Sequence, residues 1–350
     1  MIPREDILKI LEAGTRAPSG DNAQPWRFVV RGDRVEVHNV PEKDTSQYNI
    51  NQRGSMVAHG ALLENCIIVA QTLGYSLTPE ILPDQSDQNL TVRFMLAKTS
   101  PTPHPLHSAI EQRCTNRKIY HAQPLTTDER ETLRNIAEHV HWEYDSGKIS
   151  ELAKAISTNE RILFQNKTLH DFFFDHVRWT QEEEIQKGGG FFVKTLEVKA
   201  PMPLFKLLRK WGAMKFFNWL GMSKKISQEN EKVFASAAAF GLITMPGYTS
   251  SDYLAAGRAF ERIWLTATSL GLSLQPMLGV LFLHQNIELG KADALSIDEQ
   301  LLLQKAYHQI RASFHIQEGT TALLFRVGHS AAPSARSSRT PVEHVTTFLS

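Results

Sequence analysis

Two distant stretches of this chain repeat one another. GALLENCIIVAQTLGYSLTP begins at Gly60, and GRAFERIWLTATSLGLSLQP begins at Gly257. Without a gap, Glu64 meets Glu261, Ala70 meets Ala267, Leu73-Gly74 meets Leu270-Gly271, Ser76-Leu77 meets Ser273-Leu274, and Pro79 meets Pro276. Shared amphipathic periodicity explains some of the apolar agreement, but not the matched charge, glycines and proline. Each copy is followed by a run of strand composition, VRFMLA from Val92 and TALLFRVG from Thr321. The repeat restricts the chain to folds built from two related halves. Three prolines in TSPTPHP (Thr99 to Pro105) disfavour regular structure. They divide the chain into a first half, 1–98, a linker, 99–105, and a second half, 106–350.

With 350 residues, 42% of them hydrophobic, the chain can bury a sizeable core. A net charge of +1 gives no global field for nucleic acid or an acidic partner, so neither nucleic acid nor a membrane is expected. Cys66 and Cys114 fit neither a disulfide framework nor a zinc site and point to a reducing compartment. MIPREDILKI lacks a signal pattern and no apolar run reaches the ~18 residues of a membrane helix. The expected location is cytoplasmic. His104, His107, His139, His141, His170 and His176 form no metal spacing, so no metal site is expected.

The stretch APSGDNAQPW, Ala17 to Trp26, packs turn formers against one large aromatic. Pro18 fixes φ, Gly20 permits positive φ, and Asp21 and Asn22 can bond their own backbone, which makes a pre-shaped polar loop. It lies between a short amphipathic helix (Ile7, Leu8, Ile10, Leu11) and RFVV, which with VEVHNV reads as a hairpin turned at Gly32-Asp33. Such a loop commonly holds a ligand; a plain helix-to-strand connection is an equal alternative on spacing alone. RCTNRKIY (Arg113 to Tyr120), read alone, is more ordinarily a solvated basic turn.

Pro18-Ser19-Gly20-Asp21-Asn22-Ala23-Gln24-Pro25-Trp26, followed by Arg27 and Phe28, resembles the PSGxNxQPW signature of the nitroreductase-like flavoprotein family. RCTNRKIY resembles that family's RRSxRxF element. The resemblance implies an α+β fold with a central antiparallel sheet flanked by helices, and FMN as cofactor. Pro18, Ser19, Gly20, Asn22 and Gln24 would then contribute a loop that the family supplies from the other subunit of a homodimer. Arg113 and Thr115 would hold phosphate and ribityl chain, with Arg117 at the pyrimidine edge and Asn116 also among the cofactor-binding residues; guanidinium groups suit phosphate chemistry. Gln275-Pro276-Met277 matches the segment lining one face of the flavin ring. In SARSSRTPVEHV, Arg339 matches a phosphate-binding residue and Arg336 is a looser match.

The first half has APSGDNAQPW without a copy of RCTNRKIY, and the second half the reverse. One composite site per chain is the economical reading, in a pseudo-dimer that is monomeric or dimerises further. From about 153 to 245 runs an aromatic and basic insertion, expected as a helical lid, with Gly188-Gly189-Gly190 as a hinge and Arg178 near the cofactor. PLFKLLRKW within it is basic, aromatic and amphipathic, the pattern of a membrane-surface helix, although it sits mid-chain. No phosphate loop of the dinucleotide kind occurs, so NADH or NADPH would bind transiently over the flavin. The implied function is hydride transfer from NAD(P)H through FMN to a small electron-poor acceptor such as a nitroaromatic or quinone. No catalytic side-chain acid or base is evident, and Arg117 is the candidate electrostatic residue. The alternatives are a flavin-sequestering protein and a dedicated flavin-dependent dehydrogenase of a biosynthetic pathway.

Overall fold

Alternating β-branched and aromatic residues in WRFVVR and RVEVHN form β1 (Trp26–Arg31) and β2 (Arg34–Asn39). Gly32, at φ 59°, turns them into an antiparallel hairpin with Phe28 opposite Val37. The computed structural model describes residues 2–349. Further strands are β3 (Tyr75–Ile81), β4 (Leu90–Lys98), β5 (Val140–Glu143), the short parallel pair β6 (Val177–Arg178) and β7 (Phe191–Phe192), β8 (Ala239–Met245), β9 (Ser273–Pro276), β10 (Thr320–Gly328) and β11 (Thr346–Leu349).

There are two main sheets rather than one central sheet. The first runs β11-β1-β2-β4-β3 and the second β5-β8-β10-β9. Within each, the first two strands precede a long helix and the last two follow it, in the same spatial order and antiparallel. β11 breaks the likeness by adding to β1 in parallel, Phe28 opposite Thr346. Among the described residues, 99–106 carry no helix or strand.

The helices Arg53–Thr72 and Ser250–Ser269 contain the repeated sequence and pack on each other. A Cβ at Gly60 would lie 2.0 Å from the Leu254 carbonyl oxygen, and one at Gly257 would lie 2.0 Å from that of Val57. The contact is reciprocal at one sequence offset. Gly74 and Gly271, at φ 83° and 74°, end the two helices in the left-handed region. The repeat tails YSLTP and SLQP therefore leave the helices and run as strands β3 and β9.

The lid forms its own small core from Phe164, Phe174, Phe192, Phe205, Leu208 and Met214. It ends earlier than its aromatic composition implies. AFGLITM is β8, buried at every position and interior to the second sheet, because an unbroken apolar run suits a strand covered on both faces. Gly188-Gly189-Gly190 is a close-packed contact rather than a hinge. A Cβ at Gly190 would meet the His176 carbonyl at 2.4 Å, and one at Gly189 would meet that of Asn22 at 3.1 Å.

Candidate functional site

The loop after the first helix is built differently from its composition. Gly20 keeps ordinary backbone angles, while Asp21, Asn22 and Gln24 take positive φ of 50°, 55° and 52°. Short polar side chains tolerate that region. Three such residues in four positions mark a constrained loop of the kind found at functional sites. What Gly20 supplies is space, since a Cβ there would lie 3.2 Å from Asp44 Oδ2.

Gln24 holds the loop from inside. It is buried; its backbone N–H donates to Ser19 Oγ (3.0 Å), its Nε2 donates to the Gly188 carbonyl (3.3 Å), and its Oε1 accepts from Thr340 N–H (2.9 Å). Gly190 N–H donates to the Asp21 carbonyl at 2.9 Å, and Arg339 Nη1 donates to Asn22 Oδ1 at 2.8 Å. Loop, lid and C-terminal arm thus meet at one place.

They enclose a cavity of about 800 Å³, within the range of cofactor sites. Its wall includes Pro18, Ser19, Gly20 and Asn22 from the loop, Arg113, Thr115 and Arg117 from the basic element, Gln275 and Pro276 from β9, and Arg336 and Arg339 from the arm. Gln24, Asn116 and Met277 lie off it. Asn116 Nδ2 donates to Ser273 Oγ and the Ala331 carbonyl while its Oδ1 accepts from Lys118 N–H, so its side chain ties segments together. Met277 points into the second hydrophobic core. Arg178 is also off the wall, donating to the Gly189 and Asp175 carbonyls (both 2.7 Å).

At one end of the cavity Arg16, Arg113, Arg336 and Arg339 converge. Arg16 pairs with Glu111 (3.0 Å) and Glu12 (3.8 Å), and buried Arg113 with buried Glu261 (3.3 Å), the Arg113 guanidinium lying 4.5 Å from the Trp264 ring centroid. Arg336 and Arg339 bond only neutral oxygens among the described residues, Arg336 those of Glu111, Gln112 and Arg113, and Arg339 those of Thr15, Arg16, Ala17 and Ser338 besides Asn22. Burial, reinforced by Arg113 and Arg16, brings Arg339 down to about 9. Four guanidinium groups facing three carboxylates, two of the four without an acidic partner among the described residues, form a site short of anions.

Arg117 lies further along the wall and donates to the Thr195 carbonyl (3.0 Å); burial lowers its pKa. The wall also carries Asp21, from the polar loop itself, and two acids outside every motif, Asp44 and Glu160. Burial raises Asp21 to about 6 against the pull of Arg117, raises Asp44 to about 7 with help from Asp21, and raises Glu160 to about 7. Tyr48 Oη, Asn159 Oδ1 and Glu160 Oε2 on the same wall are buried atoms without a hydrogen-bond partner among the described residues. Arg326 is also new to the site: fully buried in β10, it donates to Gln275 Oε1 (2.8 Å) and fixes that side chain on the wall. A lone arginine inside the apolar run TALLFRVG is the sequence signal for it.

A raised carboxyl pKa means that the folded state binds more protons than the unfolded one, so its stability contribution is lost as pH rises through the window. For Glu160 that window runs from 4.5 to about 7. Glu160→Gln is therefore expected to gain stability relative to the parent as pH rises from 5 to 8, read as a widening difference in thermal midpoints of the cofactor-free proteins. A pH-independent difference would show that Glu160 does not titrate in a shielded position.

The profile of the Nitroreductase family matches residues 1–53 and 110–316. An uncharacterized protein of Mycobacterium tuberculosis is 28% identical over 94% of this chain, which covers 46% of that protein. Another protein of that organism, named "Putative NAD(P)H nitroreductase", is 26% identical over 35% of this chain and 36% of its own length. The chain thus spans half or less of the length of these relatives. The crystal structure of the FMN-dependent nitroreductase NfnB from Mycobacterium smegmatis with NADPH has a TM-score of 0.40 at 12% identity, covering 70% of this chain and 99% of that one. The matched profile takes in both the polar loop and the basic element, and this chain belongs to the nitroreductase family.

Proposed function

We propose that this chain binds one FMN and uses it to pass hydride from NADH or NADPH to a small electron-poor acceptor, such as a nitroaromatic or a quinone. The observation that carries the reading is the anion deficit. Arg16 pairs with Glu12 and Glu111 and Arg113 with Glu261, but Arg336 and Arg339 beside the cavity pair with no carboxylate among the described residues. A phosphate monoester, negatively charged at neutral pH, would supply the anionic partner that Arg336 and Arg339 lack.

When bound, FMN would supply reversible hydride acceptance at N5. Arg113 and Arg339 hold the phosphate by charge-assisted bonds, and the Thr115 hydroxyl adds a neutral contact. Pro276 and Gln275 shape one wall, Gln275 being locked by Arg326. Arg117, on the cavity wall, would provide fixed positive charge to stabilise the reduced, anionic cofactor. Asp21, Asp44 and Glu160, held protonated to near-neutral pH, are candidate proton donors to the acceptor. Loop residues from the first half and the basic element from the second would complete one site within one chain, in the manner of a dimer.

Storage of flavin is the second reading, favoured by the lid: Phe172, Phe173, Phe191, Leu204 and Phe205 wall the cavity on that side. The visible spectrum separates the two. NAD(P)H is expected to bleach bound flavin in single turnover, with colour restored by a quinone. Bleaching by dithionite but not by NAD(P)H would select storage. Released flavin should equal one per chain, and two per chain would overturn the composite site.

A further inference from the structure

A net charge of +1 conceals a segregated surface. Between Glu197 and Glu229 the chain has seven Lys or Arg residues and no Asp or Glu. The ion pairs flanking this stretch are Lys187 with Glu183 and Lys232 with Glu229; none of the seven pairs with a carboxylate among the described residues. Lys206, Arg209, Lys210, Lys215 and Lys224 are exposed.

The same segment exposes its largest apolar side chains. On the helix Trp211–Trp219 and its C-cap, Phe216, Trp219 and Leu220 are 58%, 80% and 61% exposed, at the i, i+3, i+4 spacing of one helical face. The Phe216 and Trp219 rings lie 6.3 Å apart. Met202 and Leu207, on the preceding helix Met202–Leu208, are exposed too. Single exposed apolar residues are ordinary, but an aromatic and aliphatic cluster rimmed by unpaired lysines is a recognition surface.

We propose that the outer face of residues 202–225 docks on an anionic lipid bilayer, with Phe216, Trp219 and Leu220 entering the interface and the lysines facing headgroups. Charge complementarity selects an anionic surface. Leu207, Leu220 and Met202 narrow the choice further, since aliphatic groups gain nothing against phosphates and sugars but do gain by leaving water for hydrocarbon. Tryptophan, apolar with one N–H, suits the boundary layer. The inner side chains Leu204, Phe205, Leu208, Met222 and Ile226 line the cavity, so docking face and cavity wall are two sides of one layer.

The test is co-sedimentation of the full chain with vesicles of phosphatidylcholine alone or mixed with phosphatidylglycerol. Binding is expected only with the mixed vesicles, weakening as salt is raised and shifting tryptophan emission to the blue. Trp219→Ala, at a position that packs into no core, is expected to weaken partitioning about tenfold. Lys215→Glu with Lys224→Glu should remove the preference for the mixed vesicles. No partitioning into anionic vesicles at low salt would overturn the proposal. So would partitioning unchanged by Trp219→Ala together with Phe216→Ala, or equal affinity for a DNA duplex with the same dependence on Trp219.

Discussion

Arg339→Ala is expected to give a folded protein that binds FMN at least a hundredfold more weakly, a loss of about 3 kcal/mol for one or two charge-assisted bonds. The effect has two sources. The guanidinium is positive charge in a site short of anions, and it also gathers the Thr15, Arg16 and Ala17 carbonyls and Asn22 Oδ1, which fix the polar loop. Without a phosphate, relief of its repulsion with Arg113 and Arg16 offsets the hydrogen bonds lost, so the cofactor-free protein should stay folded with a thermal midpoint close to the parent's. Arg113→Ala is the less clean experiment, because it takes from buried Glu261 its ion-pair partner and damages the fold itself. Fluorescence titration of FMN against the cofactor-free proteins reads the difference. A dissociation constant for Arg339→Ala equal to that of the parent would take the arginine cluster out of the cofactor site.

Gly60→Ala and Gly257→Ala are each expected to cost about 3 kcal/mol or more, although each adds one methyl group in a helix that alanine otherwise favours. A methyl at either position would stand 2.0 Å from a backbone carbonyl oxygen of the facing helix. Backbone cannot rotate away as a side chain can, so the helices must separate. That opens an interface running between the two sheets, with Ala61, Leu62 and Leu254 packed on one side and Val57, Ala256 and Phe260 on the other. Thermal unfolding followed by circular dichroism gives the measurement, with Gly212→Ala, where a Cβ meets nothing within 4 Å, as control. Parent-like midpoints at both positions would mean that the helices do not approach this closely.

What the sequence makes legible is what is written locally. The polar loop and the basic element each concentrate their signal in ten or fewer consecutive residues, the repeat is legible because two distant stretches match without a gap, and the structure brings loop and basic element to one cavity. Asp44, Tyr48 and Glu160 stay invisible because each is an ordinary polar residue in its own neighbourhood; only tertiary packing shields them and raises their pKa. Met277 is misread for the opposite reason: adjacency to Gln275 and Pro276 places it next to the wall, but the strand ends at Pro276 and Met277 packs into an apolar core instead. The role of Gly20 shows the limit of residue-type reasoning, since a glycine serves for space as well as for φ. Four residues at β11 carry too little pattern to announce a strand that pairs in parallel with one more than 300 positions earlier.

That late strand sets the order in which the molecule can be completed. Asn22 and Arg339 are 317 residues apart, and at roughly 5–20 residues per second a ribosome needs on the order of a quarter of a minute to a minute to pass from one to the other. Throughout that interval the outer edge of β1 has no neighbour and offers its unpaired backbone to any other chain. Half of the guanidinium cluster does not yet exist. Ligand capture therefore waits until residues 334–349 have been made, and their docking is the step at which a vulnerable nascent edge becomes a closed site.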